Sequence, residues 1–479
     1  MKRAAIVFVI ALAIYAMTMY RTVGPTDSGE LTLAAQSLGV AHPPGFPLYV
    51  LVTHLFTIVP IGDVAQRANF ASAFFAALAA AAMTFIADDV VIAICAGFFL
   101  AFSRTLWAYA SVAEVYALNT FLSVAMLALA MRFRRTRDVR YLRLAALACG
   151  LALCVHYVTA GIVAIGVAIL VGRVRMRDVV PFVFAGLLFY AYLPIAAWRD
   201  PAMNWGNPTT FARFIAHVSG KQYQQYIAGE VQIARPAKIV AHEFPIVAIA
   251  GLVGLALLFA RDRRLFAALI AIVAVNCAWV IIYPIKNDLD AYLIPIFIAL
   301  IVAASSVMPS EVEAPPSRRG SLDSLRSLGM TRVTIVIVTF VMSYQNHSHD
   351  TLTRDRVEAM IAKAAPNATI ISGDWELLSP LLLLHPERHV VQMGLLIRTW
   401  YLDQLERREH LDVRRLRPYV AQWERWGPRA PASQQLVVEL NRFFFVLVTT
   451  RPVYITHDVY ATRYLAPAFH ELRLRRFIH

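Results

Sequence analysis

Two acids and a histidine follow the first apolar segment of this chain closely, in TDSGELTLAAQSLGVAHPPGFPLY. The spacing of Asp27 and Glu30 predicts that both carboxylates lie on one side of a helix. The prolines around Gly45 favour a fixed, non-helical path that presents His42 beside the acids. A carboxylate that accepts a hydroxyl proton, near a cation that stabilises a departing phosphate, is typical of glycosyl transfer. The structural alternative is a capping box, with Asp27 as the helix cap.

Further candidate residues lie at the ends of later apolar runs. Glu114, in WAYASVAEVYALN, is a second candidate for the catalytic group, although an interfacial residue in an aromatic belt is the alternative. The sequence KNDLD contributes Lys286, Asp288 and Asp290. Its acidic pair resembles that of nucleotide-sugar enzymes only superficially, because here it precedes a membrane-length segment instead of belonging to a soluble α/β domain.

The motifs NWGNP and HVSGKQY form the longest polar segment between apolar runs. Trp205, Asn207 and Tyr223 are candidates for binding the sugar and the acceptor. His217 and Lys221 are candidates for binding a phosphate. A solvated loop is the alternative interpretation of the same residues.

The composition indicates that these motifs belong to a membrane protein. Of the 479 residues, 59% are hydrophobic and 16% are charged, whereas a soluble domain carries about 25% charged residues. These values predict an all-α polytopic membrane protein. Ten apolar runs of near-spanning length lie at about 4–20, 68–86, 89–106, 113–131, 143–157, 158–172, 179–198, 242–260, 264–283 and 289–308, with a weaker one near 329–344.

Charge distribution fixes the orientation of these runs. The segments RFRRTRDVRYLR, RVRMR and RDRR lie between apolar runs, as the positive-inside bias produces, so the net charge of +14 does not indicate nucleic-acid binding. All of them lie on the side of the basic N-terminus only if 47–60 does not cross the membrane. We therefore predict that the segment 47–60 is interfacial or re-entrant and that the chain has about 11 transmembrane helices. In this topology the polar motifs all lie on the outer face of the membrane.

The C-terminal part changes character. We predict a catalytic transmembrane domain at 1–308, a cytoplasmic linker at 309–328, a last transmembrane helix at 329–344 and a small mixed α/β domain at 345–479 on the outer face. Within the last of these, RTWYLDQLERREHLDVRRL is typical of a helix and FFFVLVTT resembles a strand.

Several of these motifs together resemble one known family. TDSGELTLAAQSLGVAHPPGFPLY, WAYASVAEVYALN, the segment from YLPIAAWRD to HVSGKQY, and NDLDAYLIP follow one another in the order found in a polytopic family of protein O-mannosyltransferases. That family has bacterial members and vertebrate members that modify plexin-type domains. The resemblance implies the GT-C glycosyltransferase fold, a polyprenyl- or dolichyl-phosphate mannose donor, and an acidic residue in the first outer loop, a position that Asp27 matches. The chain departs from the family at CVHY, where relatives often carry a histidine pair.

The leading hypothesis is transfer of a hexose, mannose first, from a polyprenyl phosphate to Ser or Thr hydroxyls of exported proteins, with inversion. Asp27 would be the general base, and Glu30 or Glu114 would orient it or the acceptor. The phosphate would be stabilised by cationic side chains, for which the candidates are His42, His217, Lys221 and Lys286. No metal ligands are assigned. The enzyme would lie in a bacterial inner membrane with a periplasmic site, or in the endoplasmic reticulum membrane. The alternatives are a GT-C enzyme with a glycan or lipid acceptor, and a lipid-linked sugar transporter or flippase.

Overall fold

The computed structural model describes residues 1–226, 234–243, 245–283, 288–307, 334–427, 430–431, 433–456 and 477–478. Lys286 and the predicted linker at 309–328 lie outside these residues. The first helices are α1 (Lys2–Thr18), α2 (Ser28–Ser37), α3 (Pro47–Thr57), α4 (Val64–Met83), α5 (Val90–Ala101), α6 (Arg104–Ala110), α7 (Tyr116–Thr136), α8 (Val139–Val171), α9 (Val180–Leu187) and α10 (Tyr192–Trp198). They are followed by α11 (Phe211–Val218), α12 (Ala234–Glu243), α13 (Pro245–Arg261), α14 (Arg263–Ile282), α15 (Leu289–Tyr292), α16 (Ile294–Val307) and α17 (Thr334–Ser343).

Local sequence explains where several of these helices begin. Asp63 accepts a hydrogen bond from the backbone N–H of Gln66 and caps α4, and Asp89 caps α5 in the same way through Ile92. The buried face of α4 consists largely of alanine. Small side chains allow helices to approach closely, which is how helices associate in a membrane.

Among the described residues, four helical segments are long and apolar enough to cross a membrane: Tyr116–Thr136, Val139–Val171, Met176–Trp198 and Arg263–Ile282. A fifth results if α5 and α6, which meet at 63°, form one broken span. Shorter apolar helices cover other predicted runs, so the predicted number of 11 stays a prediction. Large apolar side chains on these helices, such as Ile165 and Phe184, are exposed on the surface, as lipid contact requires.

The two adjacent runs predicted at 143–157 and 158–172 both lie in α8, which is interrupted at His156 (φ −151°, ψ 92°). A straight helix of this length would extend for about 50 Å. Leu170, near the end of α8, instead lines the same cavity as Arg134, which precedes its start. The chain therefore turns back at His156, at the boundary between the two predicted runs.

Helix α3 covers the first 11 residues of the segment 47–60. At 1.5 Å per residue it extends for about 16 Å, roughly half the thickness of the hydrocarbon core. This length fits the prediction that the segment does not cross the membrane.

The C-terminal region combines helices with a small parallel sheet. Its helices are α18 (Leu352–Lys363), α19 (Trp375–Leu384), α20 (Thr399–Arg408), α21 (Arg417–Trp426) and α22 (Ser433–Thr450), and its strands are β1 (Thr369–Ser372), β2 (His389–Gln392), β3 (Val453–Thr456) and β4 (Phe477–Ile478). The sheet order is β2-β1-β3-β4, and all its pairs are parallel.

One prediction for this region is wrong. The segment FFFVLVTT is the end of α22 and not a strand. Leu436, Leu440, Phe443 and Leu447 recur at three- and four-residue spacing and are buried on one face of that helix. The apolar run is therefore part of an amphipathic helix that begins ten residues before it.

Candidate active site

Asp27 lies directly before α2, as predicted, but the capping-box interpretation is wrong. Within the described part of the chain, the Asp27 side chain accepts no capping hydrogen bond from α2. It is 32% exposed and lines a cavity. Glu30 is fully buried and points away from the start of its helix, towards His42. Both carboxylates are therefore free of capping and available for other contacts.

Glu30 holds the histidine in place. Its Oε1 accepts the backbone N–H of His42 at 2.5 Å and lies 3.1 Å from the His42 Nδ1. Its Oε2 accepts the indole N–H of Trp375 at 2.5 Å. Glu30 is thus a fixed acceptor that orients the His42 ring.

His42 lies between two carboxylates. Its Nε2 is 3.8 Å from Oδ2 of Asp27, on the side opposite Glu30. Burial by itself lowers the pKa of His42, but the negative charges of Glu30 and Asp27 outweigh it and raise the pKa to about 10. His42 is therefore a cation at neutral pH.

The same surroundings shift the pKa of Asp27 upwards. Burial is the largest cause, and the neighbouring Glu30 and Glu376 carboxylates add to it, whereas the charge of His42 opposes it. A carboxylate with a raised pKa is a stronger base than a solvated one, which suits proton abstraction from a hydroxyl.

Backbone contacts fix the loop that carries His42. The N–H of Val40 donates to the carbonyl of Met203 at 2.8 Å, and the N–H of Trp205 donates to the carbonyl of Val40 at 2.9 Å. Gly45 has φ +92°, and a side chain there would meet Leu193 and His217. The two loops AHPPGFP and NWGNP are therefore joined as one unit, although they are far apart in sequence.

Glu114 reaches the same site from the loop between α6 and α7. It is buried, and its Oε1 accepts the hydroxyl hydrogen of Thr26 at 2.9 Å. Asn69 connects this loop to the segment between α1 and α2. Its amide donates to the carbonyls of Tyr20 and Thr22, while its oxygen accepts the N–H of Ala113. Burial, followed by the charges of Asp288 and Asp27, raises the pKa of Glu114 well above its usual value.

Asp288 and Asp290 complete the acidic group from the segment before α16. The hydroxyl of Tyr109 lies 3.0 Å from a carboxylate oxygen of each. Burial and the charge of Asp27 raise the pKa of Asp288 to about 7. This carboxyl therefore changes its charge near neutral pH.

Several of these groups line one cavity of about 690 Å³, which we call the first cavity, whereas Glu30 and Asp290 lie behind its wall. Asp27, His42, Glu114, Tyr223 and Asp288 contribute its polar groups. Aromatic side chains cover much of the remaining wall, namely Tyr116, Tyr157, Trp279, Tyr283 and Tyr292. His156, the turn residue of α8, also lines it. The cavity therefore combines charged groups at one place with an apolar surface that suits a lipid or a sugar face.

Four predicted site residues from the segment 205–221 do not line the first cavity. Trp205, His217 and Lys221 line a second cavity of about 500 Å³, between the loop 205–222 and the C-terminal region, and Pro43 lines both cavities. Asn207 is buried next to Asn204, with 3.5 Å between its Oδ1 and the Asn204 amide. The fold therefore does not bring His217 and Lys221 into the cavity that His42 lines, where the three would surround one phosphate.

His217 differs from His42 in its contacts. It is 3% exposed, and neither ring nitrogen makes a hydrogen bond to a side chain among the described residues. Burial, with a smaller contribution from the positive charge of His42, lowers its pKa to about 3. His217 is therefore neutral at physiological pH.

The distances among Asp27, Glu30 and His42 are short enough for these residues to bind one metal ion. One ligand atom from each of Asp27, Glu30 and His42 lies within 4.8 Å of the others. A metal ion bound by the His42 ring would replace a ring proton that lies between His42 and the two carboxylates. We assign no metal.

Sequence reasoning missed three residues that shape the site. Asn69 is a polar residue inside an apolar helix, a signal that could have been noticed. Tyr109 belongs to the aromatic residues of WAYASVAEVYALN, a pattern that is typical of an interfacial belt and does not indicate a contact with Asp288 or Asp290. Trp375 lies in the motif ISGDWELLSP, but nothing in the sequence indicates that it contacts a residue 345 positions away.

The family model for the "Protein O-mannosyl-transferase TMEM260 N-terminal domain" matches residues 27–178. The match begins at Asp27 and includes Glu30, His42 and Glu114. The chain is 31% identical over 253 residues to the protein O-mannosyl-transferase TMEM260 of Mus musculus, an alignment that covers 49% of this chain and 36% of the mouse protein. It is 26% identical to the protein of the same name from Dictyostelium discoideum, over 46% of this chain and 30% of that protein.

The resemblance inferred from the motifs is confirmed. The alignments span about a third of the length of these curated relatives.

Among solved structures, ArnT from Cupriavidus metallidurans is similar over most of the chain. The structure of ArnT bound to undecaprenyl phosphate covers 81% of this chain and 86% of its own, with a TM-score of 0.52 and 13% identity. The apo structure covers 83% and 90%, with a TM-score of 0.52 and 14% identity. The chain has the GT-C fold. It is an integral membrane protein, as its apolar helices also indicate.

Proposed function

We propose that this chain is a glycosyltransferase that moves a hexose, mannose first, from a polyprenyl phosphate to Ser or Thr hydroxyls of exported proteins. The observation that carries this proposal is the Asp27–His42–Glu30 group in the wall of the first cavity. Its contacts supply both a base for a hydroxyl and a fixed cation for a phosphate. The similar proteins named protein O-mannosyl-transferases support the sugar and the acceptor class.

The membrane supplies the donor in this scheme. ArnT, which shares the fold, has been solved with undecaprenyl phosphate. In this chain the apolar and aromatic walls of the first cavity suit a lipid-linked sugar, while His42 offers a positive charge to its phosphate. We place this site on the face away from the cytoplasm, periplasmic in a bacterium and lumenal in a eukaryote.

The reaction would be a direct displacement. Asp27 takes the proton of the acceptor hydroxyl as its oxygen forms a bond to the anomeric carbon. The bond from that carbon to the phosphate oxygen breaks, and the lipid phosphate leaves as an anion stabilised by His42. Attack from the opposite face inverts the anomeric centre, so a β-linked donor gives an α-linked product.

The remaining polar groups would prepare the substrates. Glu30 fixes the His42 ring, and Glu114 supports the Asp27 loop through Thr26. Asp288 and Tyr223, which line the first cavity, would bind sugar hydroxyls, and Asp290 would support Asp288 through their shared partner Tyr109. Trp205 lies beside His42 with their rings 6.2 Å apart. Carboxylates and aromatic faces are suitable partners for the polar edges and the apolar faces of a sugar.

Purified protein incubated with polyprenyl-phosphate mannose and a Ser/Thr-containing acceptor protein tests the proposal. Mass spectrometry should detect an added hexose on the acceptor, and NMR of the product should show an α linkage. Polyprenyl-phosphate glucose and a glycan or lipid acceptor, run in parallel, test the choice of sugar and acceptor. Transfer to none of these acceptors would contradict the proposed function.

A further inference from the structure

The C-terminal region contacts the catalytic loop directly through α19. Gly29, between Asp27 and Glu30, packs against this helix so closely that a Cβ at residue 29 would lie 2.5 Å from the backbone nitrogen of Pro380. A backbone atom cannot move away as a flexible side chain can. The sequence Asp-Ser-Gly-Glu therefore permits an approach that a larger residue at position 29 would block.

This contact brings the first residue of α19 to Glu30. The indole N–H of Trp375 donates to Glu30 Oε2 at 2.5 Å, while Glu30 Oε1 orients His42. The Trp375 ring is held edge-on by Trp205, with ring centres 4.9 Å apart and planes at 85°. Trp375, Glu30, His42 and Asp27 thus form a continuous series of polar contacts from the C-terminal region to the base.

Glu30 depends on this donor because it is fully buried. A buried carboxylate that loses a hydrogen-bond donor is destabilised in its charged form and changes its orientation or its protonation. Either change removes the fixed partner of His42. The effect of Trp375 would therefore reach the reacting atoms through Glu30 and not by contact with substrate.

We propose that Trp375 is a positioning residue for the transfer reaction, supplied by the C-terminal region and acting through Glu30 on His42. This inference depends on the proposed glycosyl transfer. It also means that the segment 27–178 matched by the family model does not contain the whole catalytic centre.

A double-mutant cycle tests the route of the effect. Trp375→Phe removes the N–H but keeps an aromatic ring, and we expect turnover to fall about tenfold, as for loss of one charge-assisted hydrogen bond. If Trp375 acts through Glu30, Trp375→Phe combined with Glu30→Gln should be no slower than Glu30→Gln alone. The control is Trp400→Phe, since Trp400 also packs on Trp205 from the C-terminal region. Any effect of that control should multiply with that of Glu30→Gln.

A measurement without turnover tests the contact itself. In protein labelled with ¹⁵N-tryptophan, the indole N–H signal that disappears in Trp375→Phe identifies Trp375 among the eight tryptophans. That signal should move in Glu30→Gln and stay in place in Glu424→Gln. Unfolding midpoints of all variants show whether a loss of turnover is a loss of folding.

The outcomes separate the two proposals. Absence of transfer by the wild-type protein overturns the proposed function. Transfer by the wild type, with effects of Trp375→Phe and Glu30→Gln that multiply or with an indole signal unmoved by Glu30→Gln, overturns only the role of Trp375.

Discussion

Two histidines, which line neighbouring cavities that share Pro43, have pKa values shifted in opposite directions. His42 lies in the first cavity between Asp27 and Glu30, and its pKa is raised to about 10. His217 lines the second cavity, its ring makes no hydrogen bond to a side chain among the described residues, and its pKa is lowered to about 3. Both are largely buried, so the difference comes from the neighbouring carboxylates.

The two cavities also differ in the charged side chains that line them. The first cavity is lined by the carboxyl groups of Asp27, Glu114 and Asp288, whose pKa values are raised, and by the cationic His42. The second is lined by cationic side chains and tryptophans, namely Arg213, Lys221, Arg398, Trp205, Trp400 and Trp423. In the proposed mechanism, proton transfer takes place in the first cavity, and the predictions below test that division.

The largest effect is expected for Asp27→Asn. An amide cannot accept the hydroxyl proton, so turnover should fall by about 10²–10⁴, the usual contribution of a general base. Binding of a donor analogue should persist, because the residue acts on the acceptor. Asp412→Asn at the exposed surface is the matched control. Near-wild-type turnover of Asp27→Asn would remove Asp27 from the mechanism.

The two histidines should respond differently to the same substitution. His42→Gln removes a charge next to the leaving phosphate and should lower turnover about ten- to a hundredfold. His217→Gln removes a neutral ring from the other cavity and should change turnover less than about threefold per folded molecule, below 1 kcal/mol. Equal losses would show that the division between the cavities is wrong.

Donor affinity should depend on pH through Asp288. Since its raised pKa is about 7, Asp288 is mainly neutral at pH 6 and mainly charged at pH 8. A charged carboxylate repels the donor phosphate, so affinity should fall as pH rises over this interval, by about tenfold or 1.4 kcal/mol at most. His42 remains charged throughout.

The change with pH should disappear in Asp288→Asn. Titration calorimetry with a donor analogue measures both proteins. A fall of the same size in the variant would assign the ionisation to another group.

The smallest effect is expected for Lys221→Ala. Lys221 is exposed and lines the second cavity, so its loss should change donor affinity by less than about twofold, as for most exposed charges. A loss of ten- to a hundredfold would place the phosphate beside Lys221, as the sequence alone suggested.

The sequence predicted the groups that are close along the chain. Asp27, Glu30 and His42 lie within one short motif, and prolines restrict the path between them, so their proximity followed from local rules. The sequence also identifies Asp288 as a candidate, but only the folded chain brings it to the same cavity. The GT-C fold came from the family resemblance, and the membrane helices came from apolar length.

Other features depend on contacts that no local pattern encodes. Lys221 and His217 share a motif with Tyr223, yet Tyr223 lines the first cavity while the other two line the second. Trp375 reaches Glu30 only because Gly29 admits α19. The helix at FFFVLVTT was missed because an apolar run of eight residues fits a strand or a buried helix equally well.

Direct localisation of the donor is the decisive measurement. A cryo-EM structure with a non-hydrolysable polyprenyl-phosphonate mannose would show where the sugar and the phosphate analogue bind. We expect the sugar in the first cavity, with its anomeric carbon facing Asp27 and the phosphonate beside His42. Density for the phosphonate in the second cavity, beside Lys221 and Arg398, would contradict the assignment of the active site.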